Sequence, residues 1–430
     1  MRMRWSFDCV KRLGLGAMAF LLPPAMLGQT PALHRYAHAA HAGQAGVHYA
    51  GPGRGPSFTL PGSVVRIGLW VPLRGPRRIA GEAIVRAASL ALRRAATLRN
   101  GKRIALAVAD SSGPPWGRAD DRLLRLIFQQ HVAALVTSAN GALAHLGLQV
   151  GNKMGVPILT LSGASMLTKM NMPWIFRLAP SDAMQARAMV RRMDRAGGPH
   201  RVLLVSESDV DGRAGRHAFQ AAIRGSGTPI AATEVSFEPQ RLLQTAAGLR
   251  SLLQRTRPRE LVLWAQPEAA AALLRAWRLA PVHPVVYLPQ LAAQPGEGLN
   301  FGRDAAGLQS ARIYTPAARV AGAAYSRFVH RFRLASGFAP GPTEAEAYIA
   351  VRMVAQAITL AGANRARVRD RLVHGRFARL PTWGVHFDAQ GSTRTPIRML
   401  PLGCNQPRRA HGAAAPITLH EKEAQHAKRR

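Results

Sequence analysis

Residues 132–165 read VAALVTSANGALAHLGLQVGNKMGVPILTLSGAS, and the fold turns on how this stretch is divided. VAALV (132–136) and PILTLS (157–162) are short apolar runs of strand type, each followed by small hydroxyl-bearing residues, with a longer segment between them. Neighbouring parallel strands need a crossover of a dozen or more residues, so this spacing predicts a β-α-β unit. The alternation extends on both sides. VVRIGLWV (64–71) and IALAVA (104–109) are strands, separated by an alanine-rich helix over 81–97 with Ile84, Ala87, Ala88, Ala91 and Ala95 on one face. Asp120 and Asp121 suit a helix start, with Leu123, Leu124, Ile127 and Phe128 facing inward.

The pattern restarts after Phe176-Arg177-Leu178. Asp182 with Gln185 three residues on predicts a capped helix running to about Arg195. RVLLV (201–205), IAATEVSF (230–237), ELVLW (260–264) and PVVYL (284–288) are strands, with helices near 213–224, 240–255 and 267–279. RIYTP (312–316) reads as a strand leading back, 317–334 and 343–361 as helices, and 384–402 as a terminal hairpin turning at Asp388 to Ser392. The fold class is therefore α/β, with two systems of parallel strands of similar size, each covered by helices.

The composition bounds the rest. A chain of 430 residues exceeds what one core fills, and 47% apolar content is ordinary for a globular protein and too high for a disordered basic one. Two cysteines, Cys9 and Cys404, build neither a disulfide scaffold nor a Cys-rich zinc module. The net charge of +36 comes almost wholly from arginine, since only six of the 58 basic residues are lysine. Arg2, Arg4, Lys11 and Arg12 precede the apolar run LGLGAMAFLL (13–22), and small residues at 37–42 suit a signal peptidase. Residues 1–42 thus read as a secretory signal peptide, with a retained N-terminal anchor as the alternative. Residues 43–63 are rich in Gly and Pro and read as a linker or arm, and the basic tail 406–430 reads as disordered.

Enzyme signatures are missing: no G-x-G-x-x-G follows the first strand, and there is no Walker A motif, G-x-S-x-G elbow or H-E-x-x-H. His34, His38, His41 and His48 fall in or beside the leader, where weak metal binding is the alternative to accident, and no histidine pair elsewhere shows i, i+4 ligand spacing, so neither a metal nor another cofactor is expected. In an open parallel sheet, ligands bind beyond the carboxyl ends of the strands. The candidates are Thr137 to Gly141 after VAALV and Ser162 to Ser165 after PILTL, whose hydroxyls and backbone N–H groups suit a carboxylate; small polar residues also end strands for structural reasons alone.

From these residues the chain resembles the type I periplasmic solute-binding proteins, in particular the branched-chain amino acid binding proteins of ABC transporters. The markers, in order, are Ile67-Gly68-Leu69 with Pro72-Leu73-x-Gly75-Pro76, and Asp110-Ser111-Ser112-Gly113-Pro114. Gly155-Val156-Pro157-Ile158 leads to Ser162-Gly163-Ala164-Ser165, Phe176 to Asp182 precedes Gln185, and Phe387-Asp388-x-x-Gly391 completes the set. The resemblance covers residues 64–403. It implies two Rossmann-like lobes joined by three crossings, with the ligand cleft between them. Lobe 1 is expected to span 64–181 with 314–375, and lobe 2 to span 182–313 with 376–405.

The resemblance assigns the ligand's carboxylate and ammonium to the turn Gly163-Ala164-Ser165, with further contacts from Asn140 and Gly141. Elsewhere the chain departs from the family. Ala80 stands where an aromatic is usual, Asp211 replaces a tyrosine before Gly212, Gln290 replaces the acid that pairs with the ammonium, and Thr343 replaces a second aromatic. Asp211 and Gln290 are therefore ligand-binding candidates that put a leucine-type ligand in doubt; an amide, a small acid or another polar solute is open. The expected protein is a monomeric periplasmic receptor handing a small polar solute to an ABC permease in the inner membrane, without enzymatic activity. A diverged sensor of the same fold is the alternative. A binder of nucleic acid or anionic polymer is disfavoured because the arginines are dispersed rather than clustered, and a secreted α/β enzyme lacks a catalytic constellation. Dispersed arginine, charged at any pH, fits a periplasm facing an acidic exterior in an acidophilic Gram-negative bacterium.

Overall fold

The computed structural model describes residues 49–92, 98, 101–113, 117–170, 172–294, 308–313, 322–375, 377, 386–393 and 397–401. The expected signal peptide 1–42, the basic tail 406–430 and Ala95 lie outside them.

Five parallel strands form the first sheet: β1 (Val64–Val71), β2 (Arg103–Asp110), β3 (Ala134–Thr137), β4 (Ile158–Thr160) and β5 (Ile175–Arg177), in the order β2-β1-β3-β4-β5. Its helices are α1 (Arg78–Leu92), α2 (Arg118–Leu124), α3 (Gly141–Met154) and α4 (Met166–Lys169). The second sheet holds β6 (His200–Glu207), β7 (Ile230–Phe237), β8 (Glu260–Trp264), β9 (Val285–Leu288), β10 (Leu308–Ile313) and β11 (Ile397–Pro401). Its order is β11-β10-β9-β8-β6-β7, with only β11 antiparallel. The accompanying helices are α5 (Asp182–Ala196), α6 (Val210–Arg224), α7 (Leu242–Thr256) and α8 (Pro267–Arg278). The chain then returns, and α9 (Gly322–Ser336), α10 (Pro342–Ala361) and α11 (Arg365–His374) follow; α10 packs on α1 in the first lobe.

The inner strands of both sheets are buried on both faces, which is why they read as continuous apolar runs, whereas the edge strand β7 is largely exposed. In the first lobe, Ile67, Leu69 and Val136 pack with Ile84, Ala87 and Ala91 of α1 and Val351, Val354 and Ile358 of α10. Trp70, Leu135 and Ile158 face the other way, toward Leu123 of α2 and Leu146 and Leu148 of α3. In the second lobe, Leu203, Leu261 and Leu263 meet Leu253 and Leu273, and Leu204, Val262 and Trp264 meet Met189, Met193 and Phe219. Each such side chain contributes about 1.5–3 kcal/mol by leaving water.

Several local expectations change. Leu123 and Ile127 are buried as expected, but Leu124 and Phe128 are 38% and 48% exposed. Residues four apart share a helix face whereas adjacent ones do not, so only one of the two i, i+4 pairs can point inward. The cap of α5 is Ser181, whose Oγ accepts from Met184 N at 3.2 Å, rather than Asp182. The stretch 43–63, expected as a linker, is docked from Tyr49 onward. Tyr49 packs edge-on against Trp174 at 4.9 Å, Arg54 Nε binds Asp370 at 2.7 Å, and Asn364 Nδ2 donates to Gly53 O at 2.9 Å. Single anchors of this kind leave no periodic signature in a sequence.

The expected hairpin over 384–402 is also redistributed. Phe387 bridges Thr393 across a turn, and Ser392 bridges Arg177, so residues 386–393 extend the edge of the first sheet beyond β5. β11 then pairs with β10 in the second sheet. Ser392 thus sits with the first sheet and Ile397–Pro401 with the second.

Candidate functional site

The lobes face each other across the carboxyl ends of their strands. Pro72, Ser111 and Ser138 are the residues directly after β1, β2 and β3, and all three line a cleft of about 330 Å³, within the usual range for small-molecule sites. Ala80, Ile84 and Leu143 add an apolar wall from the first lobe, and Gln266, Pro267, Glu268, Leu291 and Gln294 close it from the second. The rim is polar. Asp110 Oδ1 accepts from Leu73 N and Ser112 N, both at 2.9 Å, while Ser112 Oγ accepts from Arg74 N at 3.0 Å, so the loops after β1 and β2 are tied together. Burial pulls the Asp110 carboxyl upward, but these bonds and the Arg122 charge outweigh it and hold it below the usual 3.8.

Beneath the cleft, sharing Ala139, Leu291 and Gln294 with it, lies an inner cavity of about 10 Å³, close to the volume of one water. Gly163, Asp182, Gln185, Asp211 and Gln290 line it. Asp211, from the first turn of α6, crosses to the other lobe and accepts from Gly141 N through Oδ1 at 3.2 Å and Oδ2 at 3.0 Å. Gly141 is the first residue of α3, so the carboxylate sits on a free helix N-terminus, where the macrodipole favours negative charge. A Cβ at 141 would collide with Asp211 Oδ1, which explains the glycine. Gln266 Nε2 also donates to Asp211, at 3.1 Å. Burial, followed by repulsion from Asp209, nevertheless raises Asp211 to about 6.

The sequence-predicted residues thus part company. Asn140 lines the cleft and caps α3 by accepting from Leu143 N at 2.9 Å. Gly141 and Asp211 bind each other, and Gly163, Asp211 and Gln290 share the inner cavity. Ala164 and Ser165 line neither space. Asp182 closes their turn: Gly163 O accepts from Asp182 N at 2.8 Å, Ser165 N donates to Asp182 Oδ2 at 3.4 Å, and Ser165 Oγ accepts from Ala183 N at 3.3 Å. Gln290 is 4% exposed, takes Gln185 Oε1 on its N–H at 2.7 Å and donates through Nε2 to Glu346 Oε2 on α10 at 2.8 Å. Thr343 is buried in the first turn of the same helix and Ala80 lines the cleft. Sequence reasoning missed Ser111, Gln266 and Asp182. Ser111 answers to the same strand-end rule that flagged Asn140, whereas the other two depend on how the lobes meet.

One ion pair spans the cleft mouth. Arg77 Nη2 of the first lobe meets Glu268 Oε1 of the second at 2.6 Å, with side chains 32% and 37% exposed. A pair this wet contributes roughly 0–1 kcal/mol. Glu268→Gln is therefore expected to leave the unfolding midpoint nearly unchanged while raising the radius of gyration in small-angle scattering. About 0.5 M salt should produce a similar expansion in the wild type through screening, and an unaltered scattering profile in both cases would remove this pair as a latch. Among the described residues no group of three His, Cys, Asp or Glu is placed to hold a metal, and no helix is long and apolar enough to cross a membrane.

Known structures share this architecture. The substrate-binding protein LivJ of a branched-chain amino acid transporter from Streptococcus pneumoniae, in complex with isoleucine, superposes with a TM-score of 0.66 at 20% identity, covering 79% of this chain and 96% of that one. A leucine-binding protein, LivK, from Thermotoga maritima gives 0.69 at 17% identity, over 79% and 96%. A solute-binding protein of an ABC transporter from R. palustris, in complex with benzoate, gives 0.68 at 18% identity, over 82% and 97%. No curated protein sequence matches the chain. A sequence model of periplasmic binding proteins, however, matches residues 64–400, nearly the whole two-lobed body. The chain belongs to the periplasmic binding protein family.

Proposed function

We propose that the protein is an extracytoplasmic solute receptor that binds a small polar molecule between its lobes and delivers it to an ABC permease. The observation that carries this reading is the 330 Å³ cleft, assembled from residues just beyond successive strand ends of one lobe and faced by Gln266 to Glu268 of the other. Family members are solute-binding proteins rather than enzymes, and family membership implies a periplasmic location, to which residues 1–42 would direct the chain as a signal peptide. Of the sequence candidates, Asn140 at the cleft and Gly163, Asp211 and Gln290 at the inner cavity are the contacts we retain for a ligand.

A thermal-shift screen of amino acids, amides, amines and short organic acids tests the reading. A true ligand at about 100 times its Kd stabilises by ~2.7 kcal/mol. Ala139→Trp, at the wall common to both spaces, is expected to abolish the shift. Stabilisation that survives this substitution would place binding elsewhere.

A further inference from the structure

The chain has 22 acidic residues against 58 basic ones, yet Asp182, Glu207, Asp209, Asp211 and Glu268 all gather where the lobes meet. Two of them, Asp182 and Asp211, line the inner cavity together, each 5% exposed. Among the described residues, the direct partners of these two carboxylates are backbone N–H groups and one amide: Ser165 N on Asp182, and Gly141 N and Gln266 Nε2 on Asp211. The two guanidinium groups whose charges reach these acids make their hydrogen bonds elsewhere, Arg77 to Glu268 and Arg177 to Ala164 O and Ser392 Oγ.

A third acceptor lines the same space. Gln290 is oriented by its Nε2 bond to Glu346, and its Oε1 is buried with no hydrogen-bond partner. Of the amide donors along this lining, Gln185 Nε2 is committed to Pro180 O at 2.8 Å, whereas Gln294 Nε2 is buried without a hydrogen-bond partner, a neutral group that does not offset two carboxylates. Two carboxylates and an unpartnered amide oxygen thus border a water-sized space that no basic side chain lines. A primary ammonium brings three N–H donors and one charge in about that size. A ligand carboxylate meets the opposite situation, because Asp211 already occupies the N-terminus of α3 and would repel it. The cleft leading away past Ala139 and Leu291 is walled by Ala80, Ile84, Leu143 and Pro267, which suits an apolar body.

We propose that the cargo is a primary amine with an apolar body and no carboxylate beside the amine, its ammonium seated between Asp182, Asp211 and Gln290 Oε1. This deepens, and rests on, the solute-receptor reading. Calorimetry on the whole protein near pH 8 compares two sets of probes matched in shape. One is isopentylamine, leucine, 4-methylpentanoate and 4-methylpentanamide; the other is 2-phenylethylamine, phenylalanine, 3-phenylpropanoate and 3-phenylpropanamide. In at least one set the amine is expected to bind about tenfold or more tighter than its three counterparts. Asp211→Asn and Asp182→Asn should each weaken the amine by about tenfold or more, the loss of a charge-assisted bond. Asp211→Asn should keep the wild-type unfolding midpoint or exceed it, since it relieves the repulsion between two neighbouring buried acids. Tighter binding of an amino acid, carboxylate or amide would overturn the amine assignment and leave the receptor reading standing. Amine binding indifferent to both variants would overturn it too, and binding of none of the eight probes would count against both.

Discussion

Arg177→Met is expected to destabilise the first lobe by about 3–5 kcal/mol, the loss typical when one partner of a buried charge system is removed. Arg177 is 4% exposed, and its guanidinium donates to Ala164 O at 3.1 Å and to Ser392 Oγ at 2.5 Å. Burial depresses its own pKa to about 10, with the charges of Asp182 and Asp388 acting against that, so it remains cationic at neutral pH. Its charge in turn offsets part of the burial that drives Asp182 well above the usual 3.8. Methionine keeps the apolar stem but strands the carbonyl and the carboxylate. A thermal midpoint lower by roughly 10 °C at neutral pH is the expected reading. The deficit should shrink in acid, where Asp182 is protonated and no longer misses a cation. An unchanged midpoint would mean that Arg177 only fills space.

The second large effect is on pH. Burial raises Asp211 to about 6, Glu207 and Glu344 to about 7, and Glu346 to about 8, against ordinary values of 3.8 for Asp and 4.5 for Glu. A group whose folded value exceeds its unfolded one contributes stability fully below the unfolded value and loses it as pH rises through the folded one. For these residues the loss therefore begins above the unfolded values of 3.8 and 4.5 and is complete as pH passes the folded values of about 6 to 8. Asp110 behaves oppositely, its contribution vanishing only as pH falls below 3.8 through its depressed value. Stability should accordingly climb on acidification from about pH 8.5 to about pH 5, by at most on the order of 10 kcal/mol, because each tenfold gain in proton affinity on folding is worth about 1.4 kcal/mol. The unfolding midpoint, followed across this interval, reads the change directly. Glu346→Gln should flatten the upper part of the profile. A midpoint that falls on acidification would contradict the burial of these acids, and it would also remove support for the acidic exterior that the arginine-rich composition led us to propose.

What was legible in the sequence and what was not divides along a physical line. Strand positions within each lobe follow from periodicity, a local property, so IALAVA and VAALV announce β2 and β3 directly. Of the residues the strand-end rule flags, Asn140 and Gly163 line the two spaces, whereas Ala164 and Ser165 line neither; Ser165 bonds instead to Asp182 and Ala183, seventeen and eighteen residues on and on the far side of a lobe crossing. The match of Asp211 to Gly141 spans 70 residues and two lobes. Such a pairing has no period and no motif; only the closed arrangement of the sheets makes it visible. The same holds for Tyr49 and Arg54, whose anchors lie far along the chain at Trp174 and Asp370.

The edge bridge between Arg177 and Ser392 sets the geometry of opening. Arg177 N donates to Gly391 O at 2.7 Å, and Thr393 N donates to Arg177 O at 3.0 Å, so the strand that leads into the crossing at 178–181 and the segment 391–393 are stitched side by side. Two strands leaving one lobe from adjacent points define a door post. Ala179 and Asp182, next to the post, line the inner cavity, whereas Arg77 and Glu268 stand at the free edge of the door. A given angle of swing therefore displaces the mouth far more than the acid pair. A molecule can enter and leave through a wide sweep at the rim while the groups that would grip its head shift little, which separates the speed of exchange from the chemistry of selection.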